Sequence, residues 1–176
     1  MRLPDGKWAT SRQAADRPTP GPGQESVWDY PRPPRVEPST ERVVVRFGGL
    51  VVADSSDALR VLETSHPPGY YLPRAAFTEG VLVEAPGSSV CEFKGVARYL
   101  DVQVGDAVAR RSAWYYPESL PGYEELRNRV SLFAGAMDGC EVDGEPVIPQ
   151  EGGFYGGWIT SRVVGPFKGG PGTLGW

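Results

Sequence analysis

The chain is a succession of short apolar runs separated by glycine- or proline-bearing breaks, with no long helical pattern. The first clear run is Arg42-Val43-Val44-Val45-Arg46-Phe47, followed by Gly48-Gly49 and then Leu50-Val51-Val52-Ala53-Asp54. β-branched side chains lose rotamer freedom in a helix and pack well on a pleated surface, so two such runs joined by two glycines predict a hairpin. Residues 55–64 fit a short helix through Ala58, Leu59 and Leu62, or a strand through Leu59, Val61 and Glu63; a turn followed by a strand is preferred. His66-Pro67-Pro68-Gly69 turns the chain into Tyr70-Tyr71-Leu72, and Pro73 opens a short helix to about Gly80. Strands are predicted over 81–84, 89–94, 96–104, 107–116 and 130–133, with another short helix over 121–129. Asp143-Gly144 is the strongest hairpin signal, and Pro146, which cannot donate to a ladder, confines its strand to an edge. Eight or nine short strands with regularly spaced turns define a mostly β fold: a compact antiparallel β domain with short helices.

The flanks read differently. Residues 1–40 form a Pro-rich arm in which 17–23 can be neither helix nor central strand. Within it, Trp28 and Tyr30 precede Pro31-Arg32-Pro33-Pro34, whose PxxP spacing could serve an aromatic-groove partner. A free linker has no use for two large aromatics, so they are expected to pin the arm to the protein's own surface. Residues 150–176 are glycine and aromatics. They lack the Gly-Lys-Ser/Thr of a phosphate loop and are expected to pack over the β domain, which spans 41–149.

Composition narrows the function classes. The net charge of −4 and a pI near 5.1 leave no basic stripe for nucleic acid or an anionic membrane. No apolar stretch approaches a membrane span, and the N-terminal residues lack the apolar core of a signal peptide, so the expectation is a soluble, cytoplasmic protein. Arginine-heavy, Ala/Gly/Val-rich usage hints at a GC-rich bacterial genome. Two distant cysteines and one histidine supply neither a disulfide framework nor zinc spacing, and no cofactor or metal is expected. Nothing in the chain indicates an oligomeric state.

The sequence resembles domain of unknown function family 427, catalogued in places as nucleotidyltransferase-like. The resemblance rests on the 28–34 arm segment, Val51-Val52-Ala53-Asp54-Ser55, Arg60-Val61-Leu62-Glu63-Thr64, Tyr70-Tyr71-Leu72-Pro73, Cys91-Glu92-Phe93-Lys94-Gly95-Val96-Ala97-Arg98-Tyr99, Ala113-Trp114-Tyr115-Tyr116-Pro117 and the tail from Gly152. It implies a fold of the Mss4-like or β-tent kind and settles no activity, since fold alone supplies none. The chain departs from the family pattern at Ala76, where relatives tend to carry aspartate, and at Phe93, where tryptophan is frequent.

Lys94 carries the sharpest chemical signal. Of three lysines against fifteen arginines, Lys7 and Lys168 fall in the tails, leaving Lys94 alone in the body. Arginine is always charged and rigidly forked, whereas a lysine can be desolvated and made nucleophilic. Strand alternation would put Glu92 and Lys94 on one face, Cys91 and Phe93 on the other, and Trp114 and Tyr116 together. The resulting constellation gives catalytic or charge-bearing roles to Lys94, Glu63 and Tyr99: either Glu63 pairs with Lys94 and holds it charged, or a drier setting lowers its pKa. Tyr71, Cys91, Trp114 and Tyr116 would line a hollow for a small-molecule ligand or substrate. His66, in a Pro-rich turn, makes a poor base. Two readings remain open: a binding module, and a cofactor-independent enzyme acting on a nucleotide-like or other small metabolite.

Overall fold

In the computed structural model, residues 17–176 are described. The first strands are β1 (Glu25–Ser26), β2 (Arg35–Ser39), β3 (Val43–Phe47), β4 (Leu50–Ser55), β5 (Ala58–Leu62) and β6 (Gly69–Pro73). The long central strands β7 (Leu82–Cys91), β8 (Gly95–Val104) and β9 (Ala107–Tyr115) follow, then β10 (Arg129–Leu132) and β11 (Gly139–Val142). The chain closes with β12 (Glu145–Pro146), β13 (Ile148–Pro149), β14 (Trp158–Ile159) and β15 (Val163–Val164). A seven-stranded sheet runs β2-β5-β6-β10-β9-β8-β7, and a four-stranded sheet runs β12-β11-β3-β4. Every pairing in these two sheets is antiparallel; β1 and β15 form a separate parallel pair.

The hairpins predicted from Gly48-Gly49 and Asp143-Gly144 are both present, and Pro146 sits on an edge strand. The two expected helices shrink to single 3-10 turns, Arg74–Ala76 and Glu124–Leu126. Each lies beside a break (Pro73; Pro121-Gly122) and is too short to nucleate a longer helix. The separate strands expected over 81–84 and 89–94 are one strand. Pro86-Gly87, which reads as a break, is instead absorbed as a bulge between Glu84 and Ser88. The arm is also less separate than its composition suggests, because Arg35–Ser39 is a full strand paired along β5.

Strand alternation gives the large sheet two apolar faces. Tyr70, Leu72, Leu100, Val102, Ala113, Val130 and Leu132 face the four-stranded sheet, where Val43, Val45, Val52 and Val142 complete the main core. Their chain neighbours Tyr71, Tyr99 and Trp114, with Leu59, Val61 and Ala97, face the other way. That second face is roofed by the tail and loops rather than by a sheet. Trp158, 1% exposed, anchors the tail in the main core by stacking on Tyr70 at 5.3 Å and donating Nε1–H to the Leu132 carbonyl at 3.1 Å.

The arm docks on the body, as its aromatics predict. Trp28 Nε1 donates to the Pro166 carbonyl at 2.9 Å, and its ring lies 5.4 Å from that of Trp176. Tyr30 is buried and donates to Glu25 at 2.6 Å. Arg60, on β5, gathers this region: its guanidinium donates to Glu25 at 2.7 Å, Glu37 at 3.2 Å and the Tyr30 hydroxyl at 3.2 Å. Glu25 is held below the usual carboxylate range chiefly by that Arg60 hydrogen bond, against the opposing effect of burial. Among the described residues, no helix is long and apolar enough to cross a membrane.

Candidate functional site

The second face of the large sheet encloses a cavity of about 490 Å³. Tyr71 on β6, Tyr99 on β8, Trp114 on β9 and Tyr116 just beyond β9 reach it from the sheet; Glu63 lies in the β5–β6 loop, Cys91 at the end of β7 and Lys94 in the β7–β8 connection. All seven residues singled out from the sequence thus border one space. The volume falls within the range of small-molecule pockets, and the mix of rings with a few polar groups is typical of them.

Lys94 reaches the cavity by a different route from the expected one. The strand ends at Cys91, and Glu92-Phe93-Lys94 form the turn that pairs Cys91 with Gly95. Strand alternation therefore stops three residues early, and Cys91, Phe93 and Lys94 all line the same cavity. Gly95 makes the turn possible: it adopts φ +109°, and a Cβ there would come 3.1 Å from the Glu118 carbonyl. The Lys94 carbonyl accepts the Leu120 amide at 3.0 Å, which fixes the turn against the 118–120 segment.

Lys94 is only 9% exposed. Burial works against its charge, but Tyr71, Cys91 (through its thiol contact as well) and Glu63 outweigh that, and its affinity for the proton is raised overall. The side chain is thus a retained cation. Glu63 is not its ion partner: the Glu63 carboxylate is taken by Arg32 at 3.1 Å, because the docked arm delivers a guanidinium to the same loop. Among the described residues, no carboxylate lies within the 4.0 Å of an ion pair to Lys94.

The aromatic groups beside it stay protonated. Burial pushes the Tyr71 and Tyr116 hydroxyls up, Tyr71 strongly enclosed and Tyr116 further raised by Tyr71 and Cys91. Trp114 Nε1 donates to Tyr71 Oη at 3.2 Å, and the two rings meet edge to face at 6.5 Å. Phe133 closes on Trp114 at 4.6 Å. Tyr99 donates its hydroxyl to Ser89 at 3.0 Å, with the Arg111 guanidinium 4.5 Å from its ring centre.

The opposite wall comes from residues that sequence reasoning did not assign to a site. His66 accepts from Gln150 Nε2 at Nδ1, 3.2 Å away, an assignment that leaves the proton on Nε2, facing Glu63 at 3.9 Å. Burial, and then the cations Lys168, Arg32 and Lys94, push its pKa down to about 3, so it is neutral. Gln150 also donates to the Lys168 carbonyl at 2.7 Å and accepts from the Gly157 amide at 2.9 Å, tying the tail together. Tyr155 packs edge-on to His66 at 4.7 Å, and Phe154, 68% exposed, stands at the mouth. Gly156 must be glycine for this roof to close, since a Cβ would come 2.1 Å from the Trp114 ring. Arg32, His66, Gln150, Tyr155 and Lys168 come from the arm, one loop and the tail, so no local motif marks them. The single histidine is the one signal that was available.

Of the two departures from the family pattern, Phe93 lines the cavity, whereas Ala76 lies on the 3-10 turn after β6 and is not part of the lining. No group of three or more His, Cys, Asp or Glu among the described residues could hold a metal ion. The model of a domain of unknown function, DUF427, matches residues 35–143, and the chain belongs to that family. No curated protein matches the chain.

Proposed function

We propose that this protein is a small-molecule-binding β domain whose ligand is held in the aromatic-walled cavity around Lys94. The observation carrying this reading is a buried, protonated lysine without an acidic partner on the wall of a space large enough for a metabolite. A buried charge without a counterion is costly, and folds keep such groups where function uses them. An enzyme using Lys94, Glu63 and Tyr99 would want a neutral lysine or a free base. Glu63 is engaged by Arg32, the Tyr99 hydroxyl by Ser89, and Lys94 holds its proton, all of which favour binding over catalysis. We read the protein as cytoplasmic; its acidic balance supports the absence of a nucleic-acid partner, and its family supports an Mss4-like architecture.

The test is a thermal-shift screen against neutral, cationic and anionic metabolites, repeated on Ala97→Phe. Ala97 borders the cavity, so a phenyl ring there occupies ligand space. A ligand that binds only the folded state raises the melting temperature by mass action. Hits that stabilise the parent and not Ala97→Phe support the reading. A library without hits, or hits indifferent to that substitution, would overturn it.

A further inference from the structure

We infer that the ligand is a compact oxyanion, a carboxylate or phosphate, carried on a flat apolar body, with Lys94 as its counterion. This rests on the binding role proposed above and adds the chemical class of what binds.

The argument begins with which polar groups around the cavity are already engaged. Arg32 is committed to Glu63 at 3.1 Å and to the Thr64 carbonyl at 2.8 Å. Lys168 donates to a Trp176 main-chain oxygen at 2.9 Å. Gln150 uses both ends of its amide, and Tyr99 is bound to Ser89. Lys94 Nζ stands apart. Its neighbours are the Cys91 thiol, the Tyr71 hydroxyl and the Tyr116 ring, whose centre is 5.9 Å away. Tyr71 already accepts from Trp114, so what it has left to offer is its own O–H. Tyr116 directs its hydroxyl to Tyr71 and keeps its proton, so Tyr71 accepts from two sides. Lys94 and Tyr71 therefore hold unspent donors on one side of the cavity, and no carboxylate is in ion-pair reach of Lys94.

An oxyanion is the complement of that arrangement. It supplies several acceptor lone pairs at once and the negative charge that Lys94 lacks, and charge-assisted hydrogen bonds are roughly twice as strong as neutral ones. A cationic ligand would add a second unpaired positive charge. A neutral ligand would leave the first one unpaired. The rest of the molecule is constrained by the walls: Trp114, Phe133, Phe93 and Tyr155 present ring faces and edges, which suit a planar body by offset or edge-on contact.

The experiment titrates three probes of one shape into the full chain: 1-naphthoate, 1-naphthyl phosphate and the uncharged 1-naphthamide. Binding is followed by calorimetry for the parent and for Lys94→Met, whose folding is checked by circular dichroism and melting temperature. At least one acid should bind tenfold or more tightly than the amide, and the preference should vanish in Lys94→Met. Which acid binds tighter tells a carboxylate source from a phosphate source. An amide within threefold of both acids, or a preference that survives in Lys94→Met, would sink the assignment. If neither acid binds while neutral library members still fill the cavity, the oxyanion class falls and the binding role stands; if nothing fills it, both fall.

Discussion

Arg60 and Lys94 are buried to the same degree, 9% exposed each, and lie on opposite sides of an energetic divide. Arg60 is surrounded by Glu25, Glu37 and Tyr30, with its two terminal nitrogens both engaged. Its rigid fork can serve several acceptors at once, so a guanidinium is suited to join an arm to a sheet. Lys94 has a single ammonium on a flexible stem, facing rings, a thiol and open space. The first cation completes the fold. The second leaves something for the fold to receive, and equal burial conceals that difference until the partners are named.

Four measurements would break or sharpen this contrast. The largest effect belongs to Arg60→Met, which leaves Glu25 and Glu37 without their cation beside the buried Tyr30. Removing one member of a buried pair costs about 3–5 kcal/mol, and the exposure of the Glu25 and Glu37 carboxylates places this case below that range, at about 2. Urea denaturation reads it, and a loss below about 1 kcal/mol would mean that the arm does not depend on this cluster. Next comes His66, kept neutral between Glu63, Arg32, Lys94, Lys168 and Gln150. Its folded pKa of about 3 lies below the unfolded value near 6.5, so the unfolded chain takes up the proton first. Stability should therefore fall by about 1.4 kcal/mol per pH unit as pH drops from about 6 towards 4, in addition to carboxylate effects. Denaturation at pH 6.5, 5.5 and 4.5 should show a slope shallower by about one proton in His66→Gln; equal slopes would mean that His66 charges freely in the folded state.

The smallest effect is expected at Lys94. Lys94→Met removes a buried charge whose burial cost and favourable neighbours largely offset one another, so stability should change by no more than about 1 kcal/mol in either direction. A loss comparable to that of Arg60→Met would show that Lys94 is structural after all, and the contrast would collapse. The raised proton affinity adds a pH statement. Any stability tied to the Lys94 charge is complete below about pH 10 and lost only as pH rises through the higher folded value. Binding of 1-naphthoate should therefore be flat from pH 6 to 9, and a decline within that window would show an ammonium that gives up its proton early.

What the sequence made legible follows the range of the interactions. The Gly48-Gly49 and Asp143-Gly144 hairpins and the arm's aromatic anchors are written in neighbouring residues, and they stand where they were expected. The aromatic half of the cavity was legible for the same reason: alternation along β8 and β9 fixes which way Tyr99 and Trp114 face. Misreadings arose where a local signal met a non-local solution. Pro86-Gly87 reads as a break until β8 holds both sides of it, and the residues before Gly95 read as strand although they turn. The Glu63–Arg32 pair and the His66–Gln150–Lys168 wall join residues 18 to 84 positions apart, a relation that no periodicity in the chain expresses.

The roof has a consequence for how this family is to be handled. The stretch matched by the family model, 35–143, contains neither Arg32 nor anything from Gln150 to Lys168. Cut to those limits, the chain would keep most of its strands, but it would lose Trp158 from the main core and the Gly156 seat against Trp114. The recurring sequence signature and the self-sufficient folding body are therefore not the same object. A fragment trimmed to the signature would expose the cavity to bulk water and report on a surface that the whole protein does not possess.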